Sequence, residues 1–131
     1  TINYYGHPRH SAYLVDNARL FGLTHREQIL TSVIAGWHAG PSFKYSRLPP
    51  YNEFLDDIDW QKARRLALLL ALAESLDATE MGQVRRLTAT VGADGARLDL
   101  TTAEPALIER QNARQHSKWF KKELGRELII N

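Results

Sequence analysis

Three side chains that can bind a metal ion stand near predicted helix ends: His10, His38 and Asp77. Imidazole and carboxylate groups are both ligands for divalent ions, and the ends of three neighbouring helices could bring them together. Spacing alone does not require this, because a histidine at a helix end is more often a cap or a hydrogen-bonded packing residue. The sequence therefore leaves two interpretations open, a metal site and a set of structural side chains.

The other histidines and one acidic pair have simpler predicted roles. His7 is predicted to cap the first helix, His25 to be exposed in the first turn of the second helix, and His116 to lie on the polar side of the fourth. Glu74 and Asp77 are three residues apart on one helix and could divide acid and base roles. Nothing places a substrate beside them, so a structural role is the preferred interpretation.

Basic residues form local clusters although the net charge is only +2 and the pI about 9.0. The pairs Lys44 with Arg47 and Arg64 with Arg65 could meet phosphate oxygens. The alternative is that they are solvated surface charges. A nucleic-acid-binding module would rest on the pI alone, because no helix-turn-helix and no aromatic-basic platform is visible. We therefore expect no nucleic-acid partner.

No hydrolytic motif is present in the chain. It contains no glycine-rich phosphate loop, no His-Glu-x-x-His zinc motif and no Gly-x-Ser-x-Gly elbow. We therefore predict no catalytic residues and no cofactor in this chain, which by itself is expected to be inactive.

Length and composition indicate one domain of a larger protein. The chain has 131 residues, 44% of them apolar, and no cysteine, which excludes a disulfide scaffold. The longest apolar run, LALLLALA at 66–73, is much shorter than the roughly 18–20 residues that span a bilayer. No signal peptide is visible, so we expect a cytoplasmic protein without a membrane partner. Because the chain begins without Met, at residues typical of the tail of an ordered element, we expect a piece of a longer chain.

Four helices are predicted from periodicity and caps. The first starts near Pro8 and ends at Gly22, and the second, about 25–38, begins with a capping box of Thr24 and Glu27. A proline-rich loop over 39–54 precedes the third helix, about 59–78, capped by an aspartate at 57 or 59. This helix is so apolar that we expect it to be the central one. Its residues Leu66, Leu69, Leu70 and Ala73 are expected to face the first two helices.

The pattern changes after Gly82. Leu87, Ala89 and Val91 alternate with polar residues, GADG turns the chain, and Leu98 and Leu100 alternate again, which predicts a β-hairpin. A fourth helix is predicted over 105–124, and the final RELIIN is typical of a strand that could pair with the hairpin. The predicted class is α+β, a helical part (1–81) followed by a small α/β part (85–131).

The stretch YYGHPRHSAYLVDNARLFGLTHREQILTSVIAGWH, together with LALLLALAESLDAT, resembles the C-terminal region of the exopolyphosphatase / guanosine pentaphosphate phosphohydrolase (Ppx/GppA) family. The resemblance covers residues 1 to about 81 well, and the hairpin, helix and GRELIIN ending fit the same region. It implies an HD-like helical bundle, in which His10, His38 and Asp77 match the later positions of the HD pattern. Ser11, Ala39 and Glu74 depart from that pattern and imply a degenerate site.

The resemblance also implies the partners and the chemistry of the parent enzyme. Actin-like N-terminal domains of the same chain would bind magnesium and cleave polyphosphate or pppGpp. The present chain would be a non-catalytic C-terminal accessory domain that helps to hold the substrate, through Lys44, Arg47, Arg64 and Arg65, and to form a homodimer. The alternative is a metal-dependent HD-type phosphohydrolase that uses His10, His38 and Asp77.

Overall fold

The structure is a computed structural model, and it describes residues 6–42 and 44–131. The expectations for residues 1–5 lie outside these ranges. The helices are α1 (His7–Asn17), α2 (His25–Trp37), α3 (Tyr51–Phe54), α4 (Asp57–Leu76), α5 (Leu107–Arg114) and α6 (Ser117–Leu124). The strands are β1 (Val84–Val91), β2 (Ala96–Thr102) and β3 (Leu128–Ile130). The predicted α+β class, mainly helical, is confirmed.

The chain forms two compact units, Thr1–Leu70 and Ala71–Asn131. The helix α4 begins in the first unit and ends in the second. The division predicted from the sequence, into 1–81 and 85–131, stays a prediction.

Helices α1 and α2 lie side by side and run in opposite directions. The start of α1 meets the end of α2 through His7 and His38, and the end of α1 meets the start of α2 through Gln28. The Gln28 amide donates to the carbonyls of Val15 and Ala18, each at 2.8 Å. These carbonyls lie at the end of α1, where main-chain acceptors lack helical partners. The helix therefore ends at Asn17, earlier than the glycine predicted from the sequence.

Two reciprocal caps fix where α2 and α4 begin. The predicted box of Thr24 and Glu27 is confirmed, with the Thr24 main-chain N–H donating to Glu27 at 2.7 Å. At the start of α4, the Asp59 N–H donates to Asp56 at 2.9 Å and the Asp56 N–H donates to Asp59 at 3.2 Å. The cap is thus Asp56, and the prediction of an aspartate at 57 or 59 was wrong, because Asp59 supplies the returning side chain at the third helical position.

The proline-rich segment after α2 is more ordered than a plain loop. It contains a 3₁₀ turn at Tyr45–Arg47 and the short helix α3. The buried Tyr45 ring packs on Tyr51 at a centroid distance of 5.0 Å and on Trp37 at 6.1 Å, and Trp37 in turn packs on Trp60 at 5.7 Å. This aromatic row holds the segment beside α2 and the first turns of α4.

The buried face of α4 consists mostly of alanines. The buried apolar residues are Ala63, Ala67, Leu68, Ala71 and Leu72. The residues predicted to face the first two helices are exposed instead, with Leu66 at 44%, Leu69 at 53% and Leu70 at 42%, and Ala73 exposed as well. That prediction was wrong, since a stretch that is apolar on every side has no pattern to set its rotation. None of the helices in the described part of the chain is long and apolar enough to cross a membrane.

The second unit contains a three-stranded sheet in the order β1-β2-β3. The predicted hairpin is confirmed, since β1 pairs with β2 in antiparallel fashion from Val91 and Ala96 at the turn to Val84 and Thr102. The final strand pairs with β2 in parallel fashion. Gly95 has φ 147°, and a Cβ there would lie 2.5 Å from the Glu127 carbonyl oxygen, so a glycine is needed where β3 approaches the turn.

The predicted fourth helix is divided into α5 and α6. The break lies at residues 115–116, where the His116 ring contacts the Ser75 hydroxyl, with 3.0 Å between Oγ and Nε2. Phe120 of α6 and Ala113 of α5 are both buried. The prediction of one helix over 105–124 was wrong, because the reorientation at His116 lets both short helices bury an apolar side chain.

A buried carboxylate ties the start of α5 to the turn after α4. Glu109 is 2% exposed and accepts a hydrogen bond from the Thr79 hydroxyl at 2.5 Å. This hydrogen bond is the main reason that the pKa of Glu109 lies below its ordinary value. Its charge is therefore matched by neutral donors rather than by a cation.

We predict that Gly36→Ala destabilises the protein. A Cβ at Gly36 would overlap the Tyr45 hydroxyl and lie 2.7 Å from its ring carbon Cζ. Overpacking of this kind costs about 1–3 kcal/mol, more than alanine gains over glycine as a helix former. Urea denaturation measures the change in the free energy of unfolding. In a Tyr45→Ala background the same substitution should be neutral or stabilising, and an equal loss in both backgrounds would contradict the predicted overlap.

A second prediction concerns alkaline pH. Burial, together with a hydrogen bond from the Tyr51 hydroxyl to Asp16, raises the pKa of Tyr51 from 10.0 to about 12. The unfolded chain releases this proton near pH 10 and the folded chain does not, so the contribution is complete below pH 10 and is lost as the pH rises toward 12. Urea denaturation of the wild type and of Tyr51→Phe should show the stability difference shrinking in that window. Parallel curves would contradict the assignment.

Candidate functional site

Two imidazoles meet where the start of α1 lies beside the end of α2. His7 is the first residue of α1, after Gly6 in the left-handed conformation with φ 88°, and His38 follows the last residue of α2. Their Nε2 atoms are 2.8 Å apart and their ring centroids 4.8 Å apart. His38 is 7% exposed, whereas His7 is half-buried. The antiparallel packing of α1 and α2 thus creates a pair of imidazoles, 31 residues apart in sequence.

The hydrogen bond made by the second ring nitrogen of His38, Nδ1, fixes the tautomer of this ring. Nδ1 lies 2.5 Å from the carbonyl oxygen of Ala35, one turn earlier in the chain. A carbonyl can only accept, so Nδ1 carries the proton and, in the neutral ring, Nε2 presents its lone pair to His7. The pair therefore shares a proton supplied by His7, or a cation, between the two Nε2 atoms.

The three metal ligands predicted from the sequence are placed as follows. His10 is exposed, one turn after His7 on α1. His38 is buried, and its described imidazole partner is His7. Asp77 is exposed just beyond the end of α4, where its main-chain N–H donates to the Glu74 carbonyl at 3.1 Å. Asp77 belongs to the second unit and both histidines to the first, so the three-residue metal site stays a prediction.

The basic residues predicted to bind polyanions lie in the first unit. Lys44 and Arg47 flank the buried Tyr45 in the 3₁₀ turn, and both are exposed. Arg64 and Arg65 lie on α4, one turn beyond Trp60. The aromatic row of Tyr45, Trp37 and Trp60 therefore connects the segment of one cationic pair with the helix that carries the other.

These basic residues differ in whether they interact with other groups of the described chain. Among the described residues, Lys44, Arg47 and Arg65 have no ion pair, and Arg65 is exposed like the first two. Arg64 is half-buried and has an interaction of its own. By contrast, Arg26 donates to both Asp56 and Asp59, which raises the Arg26 pKa. Three of the four predicted cations are thus open to an external anion.

Sequence reasoning missed the contacts of two histidines, one in each unit. His7 was predicted only as a cap, and the signal that could have found its partner was the seven-residue connection between α1 and α2 (18–24), which is short enough to favour antiparallel helices. His116 is half-buried and contacts Ser75, whereas it was predicted to lie on a polar face. Burial lowers the pKa of His116, and the charge of Glu74 opposes that shift.

The comparison with known protein families matches residues 1–124 to Ppx/GppA phosphatase, domain III. The chain belongs to this family. The match confirms the resemblance noted in the sequence. It assigns the 131 residues to the third domain of an exopolyphosphatase-like protein, which implies other domains in the same polypeptide. A search of curated proteins gave no match.

Proposed function

We propose that this Ppx/GppA domain III is a non-catalytic accessory domain that holds polyphosphate or pppGpp for the catalytic domains of an exopolyphosphatase-like enzyme. The family match supports the enzyme class. The observation that carries the proposed role is that Lys44, Arg47 and Arg65 are all exposed and have no ion pair among the described residues. Catalytic magnesium is assigned to the N-terminal domains in this proposal.

The chemistry of these side chains suits a long phosphate chain. Arginine offers planar donors to two phosphate oxygens at once, and lysine acts as a point charge. Tyr45 is 5% exposed within its aromatic row, so the main chain that carries Lys44 and Arg47 is anchored. An anchored cationic segment binds a polyanion with a smaller loss of conformational entropy than a free loop.

We predict that the triple variant Lys44→Gln, Arg47→Gln, Arg65→Gln binds inorganic polyphosphate at least tenfold more weakly at low salt. Each phosphate contact contributes about 0.7–0.9 to the slope of log affinity against log salt concentration for nucleic acids, so the slope should fall by about 2–3. Fluorescence anisotropy with labelled polyphosphate at several salt concentrations measures both quantities.

A matched control removes the same charge elsewhere. Arg97→Gln, Arg110→Gln, Lys121→Gln removes three cations that are engaged in the second unit, by Asp94, the Pro105 carbonyl and Glu127 respectively. This variant should bind polyphosphate nearly as the wild type does. Equal losses in both variants would mean that net charge, and not this group of cations, sets the affinity. Competition by pppGpp would distinguish the two substrates.

We further propose that the exposed leucines of α4 form the interface of a homodimer. Leu66, Leu69 and Leu70 are 42–53% exposed, and exposed apolar stripes of this kind are typical of association surfaces. A twofold axis at the middle of an antiparallel pair of α4 helices would place Leu69 against Leu70 of the second copy. It would also place Lys62 near Asp77, so that opposite charges meet at the ends of the stripe.

We predict that Leu66→Glu, Leu69→Glu dissociates this dimer. Light scattering after size exclusion should give about twice the 14.9 kDa chain mass for the wild type and the single mass for the variant. The control Leu107→Glu, Ile108→Glu, on residues that are 72% and 55% exposed in α5, should leave the dimer intact. A monomeric wild type would rule out the second copy and leave the other domains of the chain as the occupant of this surface.

A further inference from the structure

We infer that His7 and His38 form a binding site for a divalent transition-metal ion. This site goes beyond the proposed polyanion binding, which needs no metal in this chain. It also differs from the ligand set predicted from the sequence, because its second imidazole comes from His7 and not from His10.

The Ala35 carbonyl prepares His38 for a metal. Histidines that ligate metals donate their other ring N–H to a carbonyl or carboxylate, which fixes the tautomer and the orientation of the ring. His38 has this arrangement, with Nδ1 at 2.5 Å from the Ala35 oxygen and Nε2 directed at His7. A buried ring that is already oriented loses little conformational freedom when it binds an ion.

The chemistry of the two nitrogens sets the class of metal. Imidazole is a ligand of Cu²⁺, Ni²⁺ and Zn²⁺, with bonds of about 2.0–2.1 Å to zinc. The 2.8 Å between the two Nε2 atoms is a hydrogen-bond distance, so the half-buried His7 ring moves aside when an ion replaces the proton, while the Ala35 carbonyl holds His38. Nitrogen sites bind Ni²⁺ and Cu²⁺ more tightly than the earlier divalent ions of the first transition row, so these two ions are suitable probes.

The surroundings leave positions for further ligands. His7 is half-buried at the first residue of α1, so its ring is partly accessible to an ion from solvent. Two imidazoles fill two of the four or six positions around the ion, and water or a phosphate oxygen can fill the others. In the metal-free protein, a single proton joins the two Nε2 atoms instead of the ion.

The test uses untagged protein, because a histidine tag would bind the same ions. Isothermal titration with Ni²⁺ should show one ion per chain for the wild type. His7→Gln and His38→Gln should each weaken binding at least tenfold, because each removes one of the two imidazoles. His10→Gln is the matched control, because His10 is exposed and lies one turn after His7 on α1, and this variant should bind as the wild type does.

Electron paramagnetic resonance of the Cu²⁺ complex gives a second readout. Nitrogen hyperfine splitting from two imidazoles is expected in the wild type and from one imidazole in His7→Gln. Circular dichroism establishes that each variant is folded, and if His38→Gln unfolds, His7→Gln alone decides. Absence of one-to-one binding, unchanged affinity in His7→Gln, or an equal loss in His10→Gln would overturn the site.

Discussion

The charge of Asp59 must be satisfied inside the first unit, and much of the helical arrangement follows from how this is done. Its side chain is 7% exposed and accepts two hydrogen bonds from Arg26 and one from the Asp56 main chain. A buried carboxylate is costly unless donors surround it, so α4 can begin only where Arg26 of α2 reaches it. Arg26 lies in the first turn of α2, two residues after the Thr24 cap. The two helix starts are thereby fixed to each other.

Small residues allow the elements of the first unit to pack closely around these fixed helix starts. The Tyr45 hydroxyl lies against Gly36, where no side chain keeps the ring away from α2, and Ser32 is fully buried with its hydroxyl donating to the Ala12 carbonyl at 3.2 Å. Because Tyr45 lies on α2, the residues on either side of it project outward. The exposed position of Lys44 and Arg47, and with it the proposed polyanion role, therefore depends on a glycine at the penultimate residue of α2.

The histidine pair results from the same helix packing. The Gln28 amide joins the end of α1 to the start of α2, which aligns the two helices at one end, and at the other end His7 and His38 come together. In the second unit, a parallel third strand and the Glu109 carboxylate have the corresponding role of joining elements that are distant in sequence. In both units, polar groups with several partners determine the register of the helices and strands.

The sequence by itself determined the local features of this protein. The Thr24–Glu27 box, the GADG hairpin, the final strand and the family could all be predicted, because each depends on neighbouring residues or on a recognisable run of them. The rotation of α4 could not be predicted, since a helix that is apolar on every side has several equivalent faces and only its neighbours select one. The same holds for the break at His116 and for the choice of His7 over His10 as the partner of His38. These depend on contacts between residues 31 or more positions apart, and only the tertiary structure decides which side chains meet over such a separation.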